Sequence, residues 1–331
     1  MAAVISIYCL RKDEGPLAHA TLDDASRCRE AGAGFVWVDL EAPTDEETMT
    51  LDERFAFHPL AIEDCRESPQ YPKLDEYGSY VFLTMLAPDL LSVEQEDPDM
   101  VVLSLFLGAD FVVTYHRRPL RAVTQLRARA ERSGAAILGR GAAFLAFAII
   151  DAIADQHDSA VRGIGDAAER RQDEILEEPR KETLDRILTL RSHVLQLKRI
   201  LSDERNIMLK LSGGVEAIVG EEEGRYFSDV AEHFDRLGDQ LEVSRDALAG
   251  ARDLYLSVSA NRTNEVVRAL TIITTIMMPL TFVTSLYGMN VGLPGGASEG
   301  AGSLLTFFVL LGAMCAMAAG FFGYFKYRRW I

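Results

Sequence analysis

Two long apolar segments near the C-terminus constrain this chain more than any other feature. Residues 269–288 hold 20 consecutive residues without a charged side chain, and residues 304–324 hold another 21. An α-helix needs about 20 predominantly apolar residues to cross the hydrocarbon core of a bilayer. Core helices of globular proteins are seldom so long, and rarely stand in tandem at a chain end. The sequence therefore predicts two transmembrane helices, 269–288 and 304–324.

The basic residues that flank these segments predict their orientation. They are Arg262 and Arg268 before the first segment, and Lys326, Arg328 and Arg329 after the second. The connecting loop, residues 289–303, contains neither Lys nor Arg. By the positive-inside rule, both termini are expected in the cytoplasm and the loop outside. Residues 325–331 are then a basic cytoplasmic tail.

The remaining residues are expected to form a cytoplasmic body of α+β class. Residues 1–140 read as a mixed α/β domain, because short β-branched and aromatic runs alternate there with helix-like stretches. The runs are Ala3–Leu10, Gly34–Leu40, Ser79–Leu86, Met100–Leu107 and Phe111–Tyr115, and the stretches are Thr44–Phe55 and Pro119–Ser133. Residues 141–268 read as a helical and stalk region, with one interruption at Pro179.

A single long helix is predicted to join the body to the first apolar segment. From Arg225 to Gly288 the helical periodicity continues, with no proline before Pro279. An unbroken helix of that length is unstable alone in water, so it requires partners along its length. Those partners are either the preceding helices or further copies of the same chain.

Composition excludes several classes of protein. The chain carries 34 basic and 50 acidic side chains, a net charge of −16, whereas a general nucleic-acid binder needs clustered positive charge. Its four cysteines are widely spaced, so neither a disulfide scaffold nor a paired-cysteine metal motif is expected. No phosphate-binding glycine loop or nucleophile elbow occurs. We therefore expect no enzymatic activity, no nucleic-acid partner and no cofactor.

The first apolar segment carries a polar stripe that an ordinary membrane anchor lacks. Steps of three and four residues connect small, hydroxyl-bearing and soft side chains: Asn264, Val267, Thr271, Thr274, Met278, Thr281, Ser285 and Gly288. In one interpretation these side chains form hydrogen bonds between packed helices. In the other, they line a water-filled pore. Periodicity alone does not separate the two. A pore would require several chains around an axis, since two spans cannot enclose one.

At this point the sequence resembles a known family. Directly after the first segment stands Gly288-Met289-Asn290, and the CorA family of divalent-cation channels has a Gly-Met-Asn signature at this place. A short loop and a second apolar segment with a basic tail follow, as in that family. Further stretches resemble it too, namely His58-Pro59-Leu60, Tyr226–Val230, Asn261–Leu270 and Pro279-Leu280-Thr281.

The resemblance implies a funnel-shaped homopentamer in a bacterial inner membrane, with the first span lining the pore. Gly288, Met289 and Asn290 would form the ion-selective outer mouth, and Asn264 an inner polar ring. Leu270 and Met278 would narrow the pore as an apolar gate. Leu270 lies one residue away from the stripe. The family transports Mg²⁺, together with Co²⁺ and Ni²⁺, so Mg²⁺ enters here as substrate and regulatory ligand.

The resemblance also implies control by cytoplasmic Mg²⁺ bound between neighbouring subunits. It assigns Asp229 to that site, with Asp89 as the partner from the N-terminal domain. Carboxylates brought together across an interface repel each other, so a bound cation favours the closed state. The alternatives are that Asp89 is an ordinary loop residue and Asp229 a solvated stalk residue.

The identity of the transported ion stays open at this stage. The loop after Asn290 is rich in glycine and has one acidic residue, Glu299, which is closer to the zinc-associated ZntB branch of the family. Against zinc, the six histidines show no metal-ligand spacing. A zinc transporter on the same scaffold is therefore the alternative. A membrane-tethered sensor without transport is a third possibility.

Overall fold

The computed structural model describes residues 4–11, 15–18, 20–30, 34–67, 71–89, 99–215, 218–289 and 303–330. Its chain divides into two compact units, Met1–Arg252 and Asp253–Ile331. The strands are β1 (Val4–Arg11), β2 (Gly15–Ala18), β3 (Gly34–Glu41), β4 (Lys73–Glu76), β5 (Tyr80–Pro88), β6 (Met100–Gly108) and β7 (Phe111–His116). The shorter helices are α1 (Leu22–Glu30), α2 (Asp45–Phe55), α3 (Pro59–Glu67) and α4 (Arg121–Leu138). The longer helices are α5 (Ala142–Glu177), α6 (Lys181–Ser212), α7 (Glu221–Tyr287) and α8 (Ser303–Tyr327).

The strands of the first unit form one mixed sheet in the order β2-β1-β3-β7-β6-β5-β4. Strands β3 and β7 pair in parallel, from Val36 opposite Phe111 to Glu41 opposite His116. The other neighbours pair antiparallel. All five predicted runs are strands, because β-branched and aromatic side chains fit a buried pleated surface. The short edge strands β2 and β4 were not predicted.

Helices cover both faces of this sheet. On one face Phe57, just after α2, stacks on Phe106 of β6 with ring centroids 3.9 Å apart. On the other face Trp37 is fully buried, stacks on Tyr8 and donates its indole N–H to the Thr114 hydroxyl at 3.1 Å. Helices α4 and α5 pack against the sheet. Burial on both faces accounts for the almost continuous apolar character of the central strands.

A capping box explains where α2 begins, and a proline explains where α5 ends. The Thr44 hydroxyl accepts the Glu47 N–H at 3.3 Å, and Glu47 accepts the Thr44 N–H at 2.7 Å, which is a capping box at the predicted start of α2. The predicted interruption at Pro179 is confirmed. Glu178, the residue before that proline, is extended with φ −151° and ψ 101°, as the proline ring requires.

The long helix is present and begins earlier than predicted. Helix α7 starts at Glu221, so Glu221, Glu222 and Glu223 form its first turn, where Glu221 and Glu222 are exposed to solvent. Acidic side chains stabilise the positive end of a helix dipole, which explains this start. Helix α8 continues to Tyr327, three residues beyond the predicted second span, and therefore includes Lys326 of the predicted tail.

The second unit exposes large apolar side chains. In this single chain Val266, Leu270, Met278 and Phe282 are each more than 60% exposed on α7. Parts of α7 and α8 are long and apolar enough to cross a membrane, the latter over Phe307–Tyr327. An apolar surface of this extent requires lipid or other protein chains as its environment.

Candidate functional site

The residues of the predicted polar stripe occupy one side of α7. At about 100° per residue, Val267, Thr274 and Ser285 fall within roughly 20° of a common direction. Leu270 falls about 60° from Val267 and about 40° from Thr274, so it belongs to the edge of the stripe. Asn264, at the opposite edge, is exposed like the other stripe residues. The helix thus presents small and polar groups on one exposed side within its apolar segment.

The threonine hydroxyls of the stripe are already bonded to their own helix. Thr271 donates to the Val267 carbonyl at 2.7 Å, and Thr274 donates to the Leu270 carbonyl at 2.8 Å. Thr281 donates to the Met277 carbonyl at 2.9 Å. Each hydroxyl proton is therefore used within the helix, while the oxygen keeps lone pairs that accept from outside. The exposed surface of the stripe consequently presents acceptors, which suit water bound to a cation.

The predicted mouth lies where α7 ends. Helix α7 ends at Tyr287, and the Gly288 N–H still donates to the Thr284 carbonyl at 3.0 Å. A β-carbon at Gly288 would stand only 3.2 Å from that same carbonyl oxygen, so a larger residue would press on the last turn. Met289 is exposed, and Asn290 lies outside the described residues. The unpaired carbonyls and the negative dipole end of a helix both attract cations at this position.

Asp89 follows directly after β5 in the first unit. Its backbone N–H donates to the Asp99 carbonyl at 2.8 Å, and its side chain is about one-third exposed. The carboxylate lines a groove of about 390 Å³ together with Pro88, Val101 and other residues. Asp89 is therefore an accessible carboxylate on a defined backbone.

Asp229 is exposed on α7 and interacts electrostatically with Asp151 of α5. Burial raises the pKa of the Asp151 carboxyl, and the charges of Asp155 and Asp229 raise it further, whereas His233 lowers it. Asp151 and Asp155 line a second groove, of about 400 Å³. A cation here would relieve the repulsion between these carboxylates. Asp151 was not among the predicted site residues, although two acids within the apolar run AIIDAIAD, Asp151 and Asp155, are a recognisable signal.

The two grooves adjoin each other, because Arg121, Gln125 and Gln156 line both. Carboxylate oxygens are the hard ligands that Mg²⁺ prefers, so the donor set fits this ion. Within the described residues, however, no three His, Cys, Asp or Glu side chains of one chain converge closely enough to hold a metal ion. A full coordination shell would therefore include water or groups from another subunit.

Comparison with known sequences points to one family. Residues 32–328 match the family model described as "CorA-like Mg2+ transporter protein". The chain is 32% identical over 308 residues to the "Putative metal ion transporter YfjQ" of Bacillus subtilis, covering 92% of each. It is 34% identical over 242 residues to the "Cobalt/magnesium transport protein CorA" of Thermotoga maritima, covering 72% of this chain and 68% of that one.

Solved structures share the fold. The complete structure of the CorA magnesium transporter from Methanocaldococcus jannaschii superimposes with a TM-score of 0.82 at 22% identity, covering 100% of both chains. The cytoplasmic domain of ZntB from Vibrio parahaemolyticus matches with a TM-score of 0.53 at 14% identity, covering 70% of this chain and 88% of that one. The first likeness covers the whole architecture, namely the sheet domain, the long helix and the two apolar C-terminal helices, whereas the second is to a cytoplasmic domain alone.

Proposed function

Because the chain belongs to the CorA family of divalent-cation transporters, we propose that it is a channel for Mg²⁺ influx that also passes Co²⁺ and Ni²⁺. The observation that carries the proposal is the stripe of acceptor oxygens on the exposed side of α7. A membrane potential would drive the ion inward, since each elementary charge gains about 2.3 kcal/mol per 100 mV.

The pore would form at the axis of a homopentamer. One chain contributes only two spans, and its α7 segment leaves apolar and polar sides exposed. Around an axis, the polar side would face the water-filled path and the apolar side would face α8 and lipid. The first membrane span would be 269–288 and the second 304–324. The cytoplasmic part would consist of the α/β domain, residues 1–140, and the helical and stalk region, residues 141–268. Both termini would lie in the cytoplasm.

The ion would pass through this pore with its hydration shell. Mg²⁺ gives up its water reluctantly, so acceptors that bind the water protons are more suitable than direct ligands. Thr271, Thr274, Thr281 and Ser285 would supply such acceptors. Asn264 would form an inner polar ring. The apolar side chains of Leu270 and Met278 would narrow the pore.

The outer mouth would be formed by Gly288, Met289 and Asn290. Backbone carbonyls at the end of α7 and the Asn290 amide would hold the hydrated ion weakly enough for release. The connecting loop contains no Lys or Arg, so no positive side chain opposes the cation there. Because Gly288 has no β-carbon, nothing presses on the Thr284 carbonyl in the last turn of α7.

Closure would follow from Mg²⁺ binding in the cytoplasm. We place Asp89 and Asp229 in this regulatory site between subunits, with Asp151 as a further carboxylate. Burial raises the pKa of the Asp151 carboxyl, and the charges of Asp155 and Asp229 raise it further; a divalent cation that neutralises these carboxylates removes the repulsion between them. Binding therefore stabilises the conformation in which these carboxylates lie close together. We propose that this conformation is the closed state.

Zinc transport is the alternative function, and the glycine-rich loop after Asn290 is the observation that favours it. Zinc binds best to nitrogen and sulfur. The proposed stripe and regulatory residues supply oxygen almost exclusively, which favours Mg²⁺. A tethered sensor without transport would not need the acceptor stripe.

Flux through the purified full-length chain in liposomes tests the proposal. With a negative interior potential, we expect Mg²⁺ uptake that Co²⁺ inhibits more strongly than Zn²⁺. Asn290→Ala should reduce this uptake at least fivefold, whereas Ser298→Ala in the same loop should leave it unchanged. Preferential Zn²⁺ uptake would establish the alternative. Absence of any flux, or full Mg²⁺ uptake by Asn290→Ala, would refute the proposed mouth.

A further inference from the structure

The side chain of Arg118 lies between the carboxylates of Asp89 and Asp99. Its Nη1 is 2.6 Å from Asp99 Oδ2 and 4.0 Å from Asp89 Oδ2. Its Nη2 donates to the Met100 carbonyl at 2.8 Å. The guanidinium is therefore bound to Asp99 and the β6 backbone, and its positive charge is presented to Asp89.

The backbone of Arg118 is anchored in the core of the domain. Its carbonyl accepts a hydrogen bond of 2.7 Å from Nδ1 of His116, which is 1% exposed. Nε2 of the same ring lies 3.1 Å from the buried carboxylate of Asp39. Arg127 holds the other oxygen of Asp39 at 3.0 Å. These contacts fix the position of the Arg118 backbone, so the side chain starts from a more defined point than that of an arginine on an exposed loop.

The charge of Arg118 opposes a divalent cation at Asp89. A positive charge 4.0 Å from the carboxylate neutralises part of the field that would attract Mg²⁺. Asp99 keeps its own charge in this arrangement. The hydrogen bond from Arg118 lowers the pKa of the Asp99 carboxyl, and this effect outweighs burial, which raises it. When a metal ion takes Asp89, Arg118 can therefore retain Asp99 as its partner.

We propose that Arg118 is an internal counter-cation that competes with Mg²⁺ for Asp89 and thereby sets the cytoplasmic Mg²⁺ concentration that closes the channel. Asp99 shares the guanidinium with Asp89 and so weakens this competition. The inference rests on the proposed regulatory role of Asp89. It assigns to Arg118 and Asp99 the tuning of affinity, with no direct bond to the metal.

Charge removal at Arg118 is the central test, with the neighbouring Arg117 as matched control. Arg117 is exposed, and its guanidinium contacts the Arg66 carbonyl. In liposomes with full-length protein, Arg118→Gln should lower the half-inhibiting internal Mg²⁺ concentration about three- to tenfold. Arg117→Gln, with the same change in net charge, should shift it less than twofold. Arg118→Lys should stay near the parent protein.

Asp99→Asn provides the opposite perturbation. It frees the guanidinium to pair with Asp89, so the half-inhibiting Mg²⁺ concentration should rise about threefold. A second readout avoids transport altogether, namely the Mg²⁺ concentration that half-saturates the thermal stabilisation of each purified variant. That concentration should fall for Arg118→Gln and rise for Asp99→Asn, in the same order as the flux measurements.

Asp89→Asn separates this inference from the function on which it rests. If Asp89→Asn abolishes inhibition by Mg²⁺ while Arg118→Gln has no effect, or acts only as Arg117→Gln does, the role of Arg118 is refuted and that of Asp89 stands. If Asp89→Asn leaves inhibition and thermal stabilisation unchanged, both proposals fail. A loss of Mg²⁺ sensitivity in a well-folded Arg118→Gln would also overturn the inference.

Discussion

A buried carboxylate in the helical region should contribute strongly to the stability of the cytoplasmic unit. Glu204 of α6 is fully buried, as is His157 of α5. One oxygen of Glu204 accepts the Leu86 N–H of β5 at 2.9 Å, and the other lies 3.0 Å from Nε2 of His157. Glu204 therefore connects two helices and the end of a strand. We predict that Glu204→Ala is among the most destabilising single changes in this unit.

The magnitude follows from two losses. Glu204→Ala leaves a cavity at a fully buried position, which costs about 2–5 kcal/mol for a side chain of this length. The Leu86 N–H would also lose its acceptor, a loss of about 1–3 kcal/mol that partly overlaps the first. A net value of about 4 kcal/mol lowers the melting temperature of a unit of this size by roughly 8–16 °C. Glu204→Gln keeps an acceptor for Leu86 and should cost about 1–2 kcal/mol.

Thermal unfolding of the full-length protein in detergent measures this effect. Trp37 is fully buried in the sheet and provides a fluorescence signal for the cytoplasmic unit. Gln196→Ala, at an exposed position in the middle of the same helix, should change the melting temperature by less than about 1 °C. Replacing both residues, Glu204→Leu with His157→Leu, should recover part of the loss, because two apolar side chains refill the cavity while the Leu86 N–H still lacks its acceptor. A melting temperature for Glu204→Ala within 2 °C of the parent would refute the reasoning.

Two further predictions concern the stripe and a buried histidine. Thr274→Val should lower Mg²⁺ flux about fivefold, which corresponds to the loss of about one hydrogen bond. Thr275→Val, about 100° away on the same helix, should leave the flux unchanged. Equal effects of the two substitutions would contradict a pore along the stripe. Burial disfavours protonated His116, but the hydrogen bond and charge of Asp39 outweigh burial and raise the pKa of His116 above its usual value. The stabilisation is therefore complete below about pH 6.5 and is lost as the pH rises through the higher folded-state pKa. Across a thermal-unfolding series from acid to alkaline pH, the deficit of His116→Gln should narrow; a deficit that widens would contradict this assignment.

The elements that the sequence predicted well have strong local signals. Strands β3, β6 and β7 are rich in β-branched, aromatic and other apolar residues, and the break at Pro179 follows from the geometry of one ring. Edge strand β4, with the sequence KLDE, has neither alternation nor β-branched residues, so it escaped prediction. Edge strand β2 contains a proline, which a central strand would not tolerate.

The sequence analysis did not predict the two short helices α1 and α3. Their sequences lack a clear apolar periodicity, and the residues that indicate a helix stand at its N-terminus. Helix α1 is largely polar, but Thr21, just before it, and Asp24, in its first turn, exchange hydrogen bonds as a capping pair. Helix α3 begins with Pro59, a residue suited to the first helical turn. In both cases the position of the cap would have been the better guide.

Two apolar spans, their flanking charges and a polar stripe along one helix are properties of neighbouring residues, and the amino-acid order alone specified them. The approach of Arg118 to Asp89 and Asp99, and of Glu204 to Leu86, is different. The second pair is 118 residues apart in the chain, and its contact arises from the sheet order and from the packing of α5 and α6. Hydrophobic patterning acts over a few residues, whereas the partner of a buried polar side chain is selected by the path of the whole chain.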